Sequence, residues 1–243
     1  EGRASESLAF RLQEVALVED VERRLELRLE HSRLTGEIEA QGGRVASLKA
    51  NLAEARGHAR TLEERASVLD GRGRHDELAA ILHEQAQLPE SDGDTARAAE
   101  LYAALAKVAE QKLADPARAI AAHERVVELD KSHEALDALA RLNLERDQPA
   151  AAASWLERRL ENAAAQGRVA VLLKLGRAQI AADKRDAAVA ALRQAFDEAP
   201  KNAEVRKLLF RQYRAQKDHA ELARALTIAA LAVADEATVL GYA

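Results

Sequence analysis

The stretch from Val169 to Asn202 reads VAVLLKLGRAQIAADKRDAAVAALRQAFDEAPKN. Its apolar residues recur at three and four, through Leu172 and Leu175 and then through Val189, Leu192 and Phe196. That is the period of helices with one buried face. Asp183 interrupts the pattern and Pro200 closes it, so the stretch predicts two helices joined by a short turn. Gly176 and Ala188 are small where their neighbours are bulky, which lets two antiparallel helices approach closely while larger aliphatic residues fill the groove between them.

Working outward, the same hairpin recurs. Ala119-Ile120 with His123 and Val126, and Ala152 with Leu156, align on the Ala188 helix, and residues 218–226 echo residues 74–82. Equivalent positions fall at Leu78, Ala119, Ala152, Ala188 and Leu222, at spacings of 41, 33, 36 and 34 residues. Leu136, Leu139 and Leu142 continue the helical period before Ala152, and Leu226 continues it after Leu222. Breakers are expected at Gly42-Gly43, Gly57, Gly71 with Gly73, Pro89 to Asp94, Asp115-Pro116, Gln148-Pro149, Gly167, Asp183, Pro200 and Asp218. β-branched and aromatic residues are too sparse for a sheet.

This pattern resembles the tetratricopeptide repeat (TPR), a helix-turn-helix unit of about 34 residues. Leu172, Leu175 and Gly176 match the first-helix signature, Ala188, Leu192 and Ala195 the second, and Pro200 the terminator, with Gln179 in place of an aromatic. Residues 133–168 keep Leu136, Leu139, Ala140, Ala152 and Leu156. Residues from 203 on place the bulky Phe210 where a small residue is usual, which predicts a wider helix pair. The unit at about 100–131 has a first helix lengthened by one residue. The resemblance implies an all-α fold, a right-handed α-α superhelix or TPR-like solenoid, elongated and stabilised by nearest-neighbour stacking. The expected organisation is an N-terminal long helix with a degenerate repeat over 1–57, a degenerate unit and loop over 58–99, about four TPR-like repeats over 100–236, and a C-terminal tail over 237–243. Leu8, Leu12, Val15, Val18, Leu25 and Leu29 form a stripe along one long helix or a helical hairpin. It packs on the next repeat or, alternatively, meets a coiled-coil partner.

Composition narrows the function. The 243 residues carry 36 Lys plus Arg against 41 Asp plus Glu, for a net charge of -5. This mild acidity argues against nucleic-acid coating and against binding a membrane by bulk charge. No apolar run approaches the roughly 18 residues of a spanning helix, so no membrane insertion is expected. The chain has no cysteine, which excludes disulfides, thiolate metal sites and a cysteine nucleophile. Residue 1 is Glu, so the chain is expected to be a processed product or a segment of something longer. Arginine exceeds lysine and alanine is abundant, as in GC-rich bacterial genomes. The cytoplasm is the first expectation for its location and the periplasm the alternative.

No chemistry-bearing motif emerges. The seven histidines form no metal-binding i, i+4 pair, and His75 and His83 lack carboxylates around them. Gly71-x-Gly73 is expected to be a helix–helix turn and Ser91-Asp92-Gly93-Asp94 a polar turn without the closing acid of a calcium loop. His123 is read as a packed ring, and Trp155 as packing between repeats. No cofactor, metal or catalytic residue is expected, and the chain is read as a non-enzyme.

The resemblance implies that first helices line a concave inner face. On the family's facing positions fall Arg141, Lys174, Arg177, Lys207, Arg211 and Arg214. Lys207, Arg211 and Arg214 stand at i, i+4, i+7, on one stripe. From Arg168 to Arg224 there are 13 basic and 7 acidic residues, a local net charge of +6 in an acidic chain. Arginine forks take carboxylates bidentately, so an acidic or carboxylate-bearing peptide or protein is the expected partner of a scaffold. The bland alternative is a solvated helix face, and Asp137 and Glu145 oppose an acidic ligand. The family's clamp for chaperone C-terminal tails is not in register here. Two alternatives stand beside the scaffold: an assembly subunit forming a homo-oligomer through its ends or N-terminal helix, and a regulatory array cut from a larger protein.

Overall fold

A computed structural model describes residues 2–38, 42–55, 58–161, 163 and 165–241. Among these the structure is all helix: α1 (Gly2–Leu17), α2 (Val21–Ile38), α3 (Gly42–Glu54), α4 (Ala59–Gly71), α5 (His75–Ser91), α6 (Thr95–Gln111) and α7 (Pro116–Asp130), then α8 (His133–Glu145), α9 (Pro149–Glu161), α10 (Ala165–Ala181), α11 (Arg185–Glu198), α12 (Ala203–Gln216) and α13 (His219–Gly241). The chain divides into two compact units, Glu1–Ala122 and His123–Ala243, with the boundary inside α7.

Local chemistry sets the helix ends. Pro116 and Pro149 open α7 and α9, where a missing N–H is harmless. Asp94, Asp115, Ser132, Asn202 and Asp218 each accept a backbone N–H of the following first turn through the side chain. At the turns one residue adopts left-handed backbone: Gly73 (φ 65°), Gly93 (82°), Ala114 (51°), Asp147 (56°), Asp183 (55°) and Lys217 (58°). The following N–H then bonds a carbonyl five residues back, as in Gln148 to Asn143 at 2.8 Å, Lys184 to Gln179 at 2.8 Å and Asp218 to Tyr213 at 2.9 Å. After α6 the equivalent bond runs from Asp115 to Ala109 at 2.9 Å, six residues back, so this turn holds one more residue while α6 itself is no longer than α5 or α10.

In the second unit the hairpins α8–α9 and α10–α11 are closely packed, and α9 lies against α10. Their core interleaves small and large residues: Ala152, Leu156, Leu172, Ala178, Leu192, Ala195 and Leu209 are each 0% exposed. Gly176 is buried against Leu192, where an added Cβ would lie 2.7 Å from the leucine Cγ. The α12–α13 pair has fewer close backbone approaches than α10–α11. Phe210 meets the edge of Phe196 at 6.1 Å between ring centroids. Trp155 packs on this core with Arg158 over its ring at 4.8 Å.

The first unit mixes an aliphatic core, including Leu25, Leu27, Leu29 and Leu48, with a buried polar seam along α2, α3 and α4. His31 Nδ1 lies 2.9 Å from Ser47 Oγ. Asn51 donates to the Leu25 carbonyl at 2.9 Å and to Thr61 Oγ1 at 3.1 Å. Glu54 on α3 accepts from Arg24 and Arg28 of α2. These bonds hold its carboxyl at a pKa of about 2, the Arg24 bond foremost and the Arg28 bond next.

Of the two readings of the N-terminal stripe, the structure has the helical hairpin: Asp20 accepts the Arg23 N–H at 2.7 Å and starts a new helix after Leu17 without glycine or proline. Val15, Leu25 and Leu29 are buried, whereas Leu12 is exposed, and the Leu8 side chain lies outside the described residues. Pro89 sits inside the last turn of α5, where one absent N–H is tolerated, and Gly167 lies within α10. Gly57 lies outside the described residues. Leu226, expected as a groove filler, is 45% exposed, while Ala225 and Ala229 are buried.

Candidate partner-binding face

The first helices α8, α10 and α12 each carry part of the basic set. The structure gives its two halves different electrostatic states. Arg141 and Glu145 pair at 3.0 Å along α8. Lys174 of α10 reaches back to Asp137 of α8 at 2.8 Å, and Asp137 also accepts from Arg159 Nε at 3.4 Å. Arg177 pairs with Glu204 of α12. All three cations are therefore neutralised at short range. The acids expected to oppose a ligand bind these cations instead.

These three cations line a single groove of about 650 Å³ between α8 and α10. Its walls alternate cations with Glu134, Asp137 and Glu145, and its floor is apolar, with the buried Leu156 and the exposed Leu144. An apolar floor with polar rims suits a peptide side chain better than a small polar metabolite.

Lys207, Arg211 and Arg214 differ. All three are exposed on α12, and none makes an ion pair among the described residues. Their spacing keeps them on one stripe, and the buried Val205, Leu209 and Tyr213 anchor the opposite face. Burial raises the Tyr213 hydroxyl pKa, so that group stays protonated beneath the cations at neutral pH. The pairing of the first three could not be found from spacing alone, since two of their partners lie 37 and 27 residues away.

Gly71 and Gly73 form the α4–α5 turn, and Gly93 with Asp94 forms the α5–α6 turn. His83 lies exposed with its ring edge-on to Tyr102 at 6.0 Å, and His123 is half-buried. Among the described residues, no group of three His, Cys, Asp or Glu could hold a metal ion. No helix among them is long and apolar enough to cross a membrane. Sequence reasoning missed a groove in the first unit of about 640 Å³ between α4 and α6, where Lys107 and Lys112 stand beside Asp70. Its signal was the same first-helix register, which is hard to set in the degenerate units.

Hairpins that close on small-to-large contacts at this spacing make the described chain an all-helical array of repeated helical hairpins. No family model matches it, and no curated protein matches it. Among solved structures it is similar to YrrB, described as a TPR protein with an unusual peptide-binding site, at 16% identity and a TM-score of 0.48, over 75% of this chain and 90% of that one. It is also similar to MamA from Desulfovibrio magneticus RS-1, at 21% identity and 0.45, over 70% and 92%. The TPR2AB domain of yeast Sti1, solved with an Hsp90 peptide, is similar at 12% identity and 0.37, over 86% and 90%.

Proposed function

We propose that this protein is a non-catalytic scaffold whose second unit binds an acidic or carboxylate-bearing peptide or protein segment along the first-helix face from Arg141 to Arg214. The single observation that carries the reading is the unpaired stripe of Lys207, Arg211 and Arg214 on α12. Unpaired arginine and lysine side chains on a rigid helix need no internal partner broken before they meet a carboxylate. Arg141, Lys174 and Arg177 play a secondary part, because a ligand must first displace Glu145, Asp137 and Glu204. The mixed groove between α8 and α10 then supplies apolar contact and register.

The test is binding of a fluorescent Glu- and Asp-rich peptide. Lys207→Glu with Arg211→Glu is expected to abolish binding and leave helical circular dichroism intact. Unchanged binding rejects the face.

A second reading, self-assembly into a homo-oligomer, is favoured by one observation. Phe10 and Leu17 on α1, and Leu226, Ile228 and Leu231 on α13, are large apolar residues at 45% exposure or more. A mass in solution that stays monomeric across concentration removes this reading.

A further inference from the structure

The first unit holds a pocket that the acidic-ligand reading does not use. It has a volume of about 290 Å³ and opens where α4, α5 and α6 meet, with Leu62, Leu88, Pro89 and Leu101 forming most of its wall. The volume lies just under the range of roughly 300–1,000 Å³ typical of small-molecule sites, so it suits one or two aliphatic side chains of a larger partner.

Its floor contains a polar group in want of a partner. Gln85 is 7% exposed, lines the pocket, and its Nε2 has no hydrogen-bond partner among the described residues. Buried amide donors are ordinarily satisfied. Pro89, four residues on, has no N–H to return to the Gln85 carbonyl, so the helix is weakest in hydrogen bonds at the same place.

The hairpin that carries the pocket gives the sign of the partner. From Asp76 to Glu100 the chain carries seven acidic residues and one basic, a net charge of -6. Asp76 pairs with Arg118, Glu77 with Arg74, and Glu90 accepts from Tyr102, while the rim itself holds Glu63, Asp92 and Arg97. The one cation, Arg97, is shared between Glu63 at 3.3 Å and Glu100 at 2.9 Å. Asp92 at the pocket edge is exposed and makes no ion pair among the described residues. An apolar hole with the unpaired Asp92 at its edge, on an α5–α6 hairpin with an acidic excess, is complementary to an aliphatic side chain flanked by cations.

We propose that this pocket docks a basic, leucine-bearing segment of a partner protein. The leucine fills the hole, flanking lysine or arginine meets Asp92 and the acidic α5–α6 hairpin, and a main-chain carbonyl beside it accepts from Gln85. The site is independent of the α12 stripe and takes a ligand of opposite charge.

The probe is a fluorescein-labelled, amidated peptide of sequence Gly-Lys-Arg-Leu-Lys-Arg-Gly, titrated by anisotropy against the whole chain. Binding is expected, and Leu88→Lys or Asp92→Lys is expected to weaken it by about tenfold, as a reversed hot-spot contact does. Gln85→Leu keeps the volume, removes the amide, and is expected to weaken it by about threefold. Lys207→Glu with Arg211→Glu is expected to leave it unchanged, which separates this site from the acidic-ligand face. Circular dichroism of each variant checks the fold. The proposal is overturned if the peptide does not bind, if replacing its leucine by serine leaves binding intact, or if the pocket variants bind normally. It is also overturned if the chain self-associates and Leu88→Lys abolishes that association, because a second copy is then the occupant.

Discussion

Gly176 and Leu192 stand so close that a β-carbon on the glycine would sit 2.7 Å from the leucine Cγ and 2.8 Å from Cδ2. Leu192 is wholly buried, so it has no empty volume into which to turn. The contact fixes the separation of α10 and α11 and with it the placing of Lys174 and Arg177 on the exposed side of α10.

Gly176→Ala is therefore expected to destabilise the protein, although alanine is the better helix former by about 1 kcal/mol. Overpacking costs about 1–3 kcal/mol, and a net loss of about 1 kcal/mol is expected. Urea unfolding measures it. Combining Gly176→Ala with Leu192→Val is expected to recover part of the loss, and purely additive effects would contradict the contact.

The left-handed turn residues offer the opposite sign. Ala114 has φ 51° and a Cβ that disfavours this conformation by about 1–2 kcal/mol. Glycine there loses about 0.5–1 kcal/mol to the entropy of the unfolded chain, so Ala114→Gly is expected to stabilise by about 0.5 kcal/mol. Gly93→Ala, at φ 82°, is expected to cost about 1 kcal/mol by the same physics reversed. Thermal melts of the two variants should move in opposite directions.

Two pH windows belong to the first unit. Burial, and secondarily the Arg11 charge, lowers the His31 pKa from 6.5, so its contribution is present above that value and is lost as pH falls through the lowered folded value. Glu54 is held at about 2 against 4.5, so the α2–α3 clamp is intact above 4.5 and is lost as pH falls toward 2. Glu54→Gln is expected to remove the second window and leave the first, as read by chemical unfolding at stepped pH.

Asp137 restrains both Lys174 and Arg159. Asp137→Asn frees these cations with little change in shape and is expected to strengthen acidic-peptide binding by about threefold to tenfold at low salt. The gain should fade in 0.5 M salt, where the screening length falls to about 4–5 Å. Weaker binding, measured by anisotropy, would count against this face.

Hairpin repetition was legible because it rests on residue size at fixed spacing: Gly176, Ala188 and Leu192 carry it in one line of text. The helix over α12 was legible for the same reason, and its period alone sets Lys207, Arg211 and Arg214 on one stripe. The pairing of Lys174 with Asp137 and of Arg177 with Glu204 was not, since it depends on how neighbouring hairpins abut. Asp20 held the clue to the α1–α2 break, yet a lone capping carboxylate is a weaker signal than glycine or proline. Leu226 misled because helical period marks a face without saying whether a neighbour covers it.

The polar seam of the first unit has a consequence for how its helices can be edited. Aliphatic surfaces permit a helix to creep along its neighbour at small cost, whereas the amide of Asn51, bridging the Leu25 carbonyl and Thr61, admits a single axial setting. Inserting or deleting one residue between Ser47 and Asn51 would rotate these donors by about 100° out of alignment, so indels there should be far less tolerated than leucine-to-isoleucine swaps in the same helix.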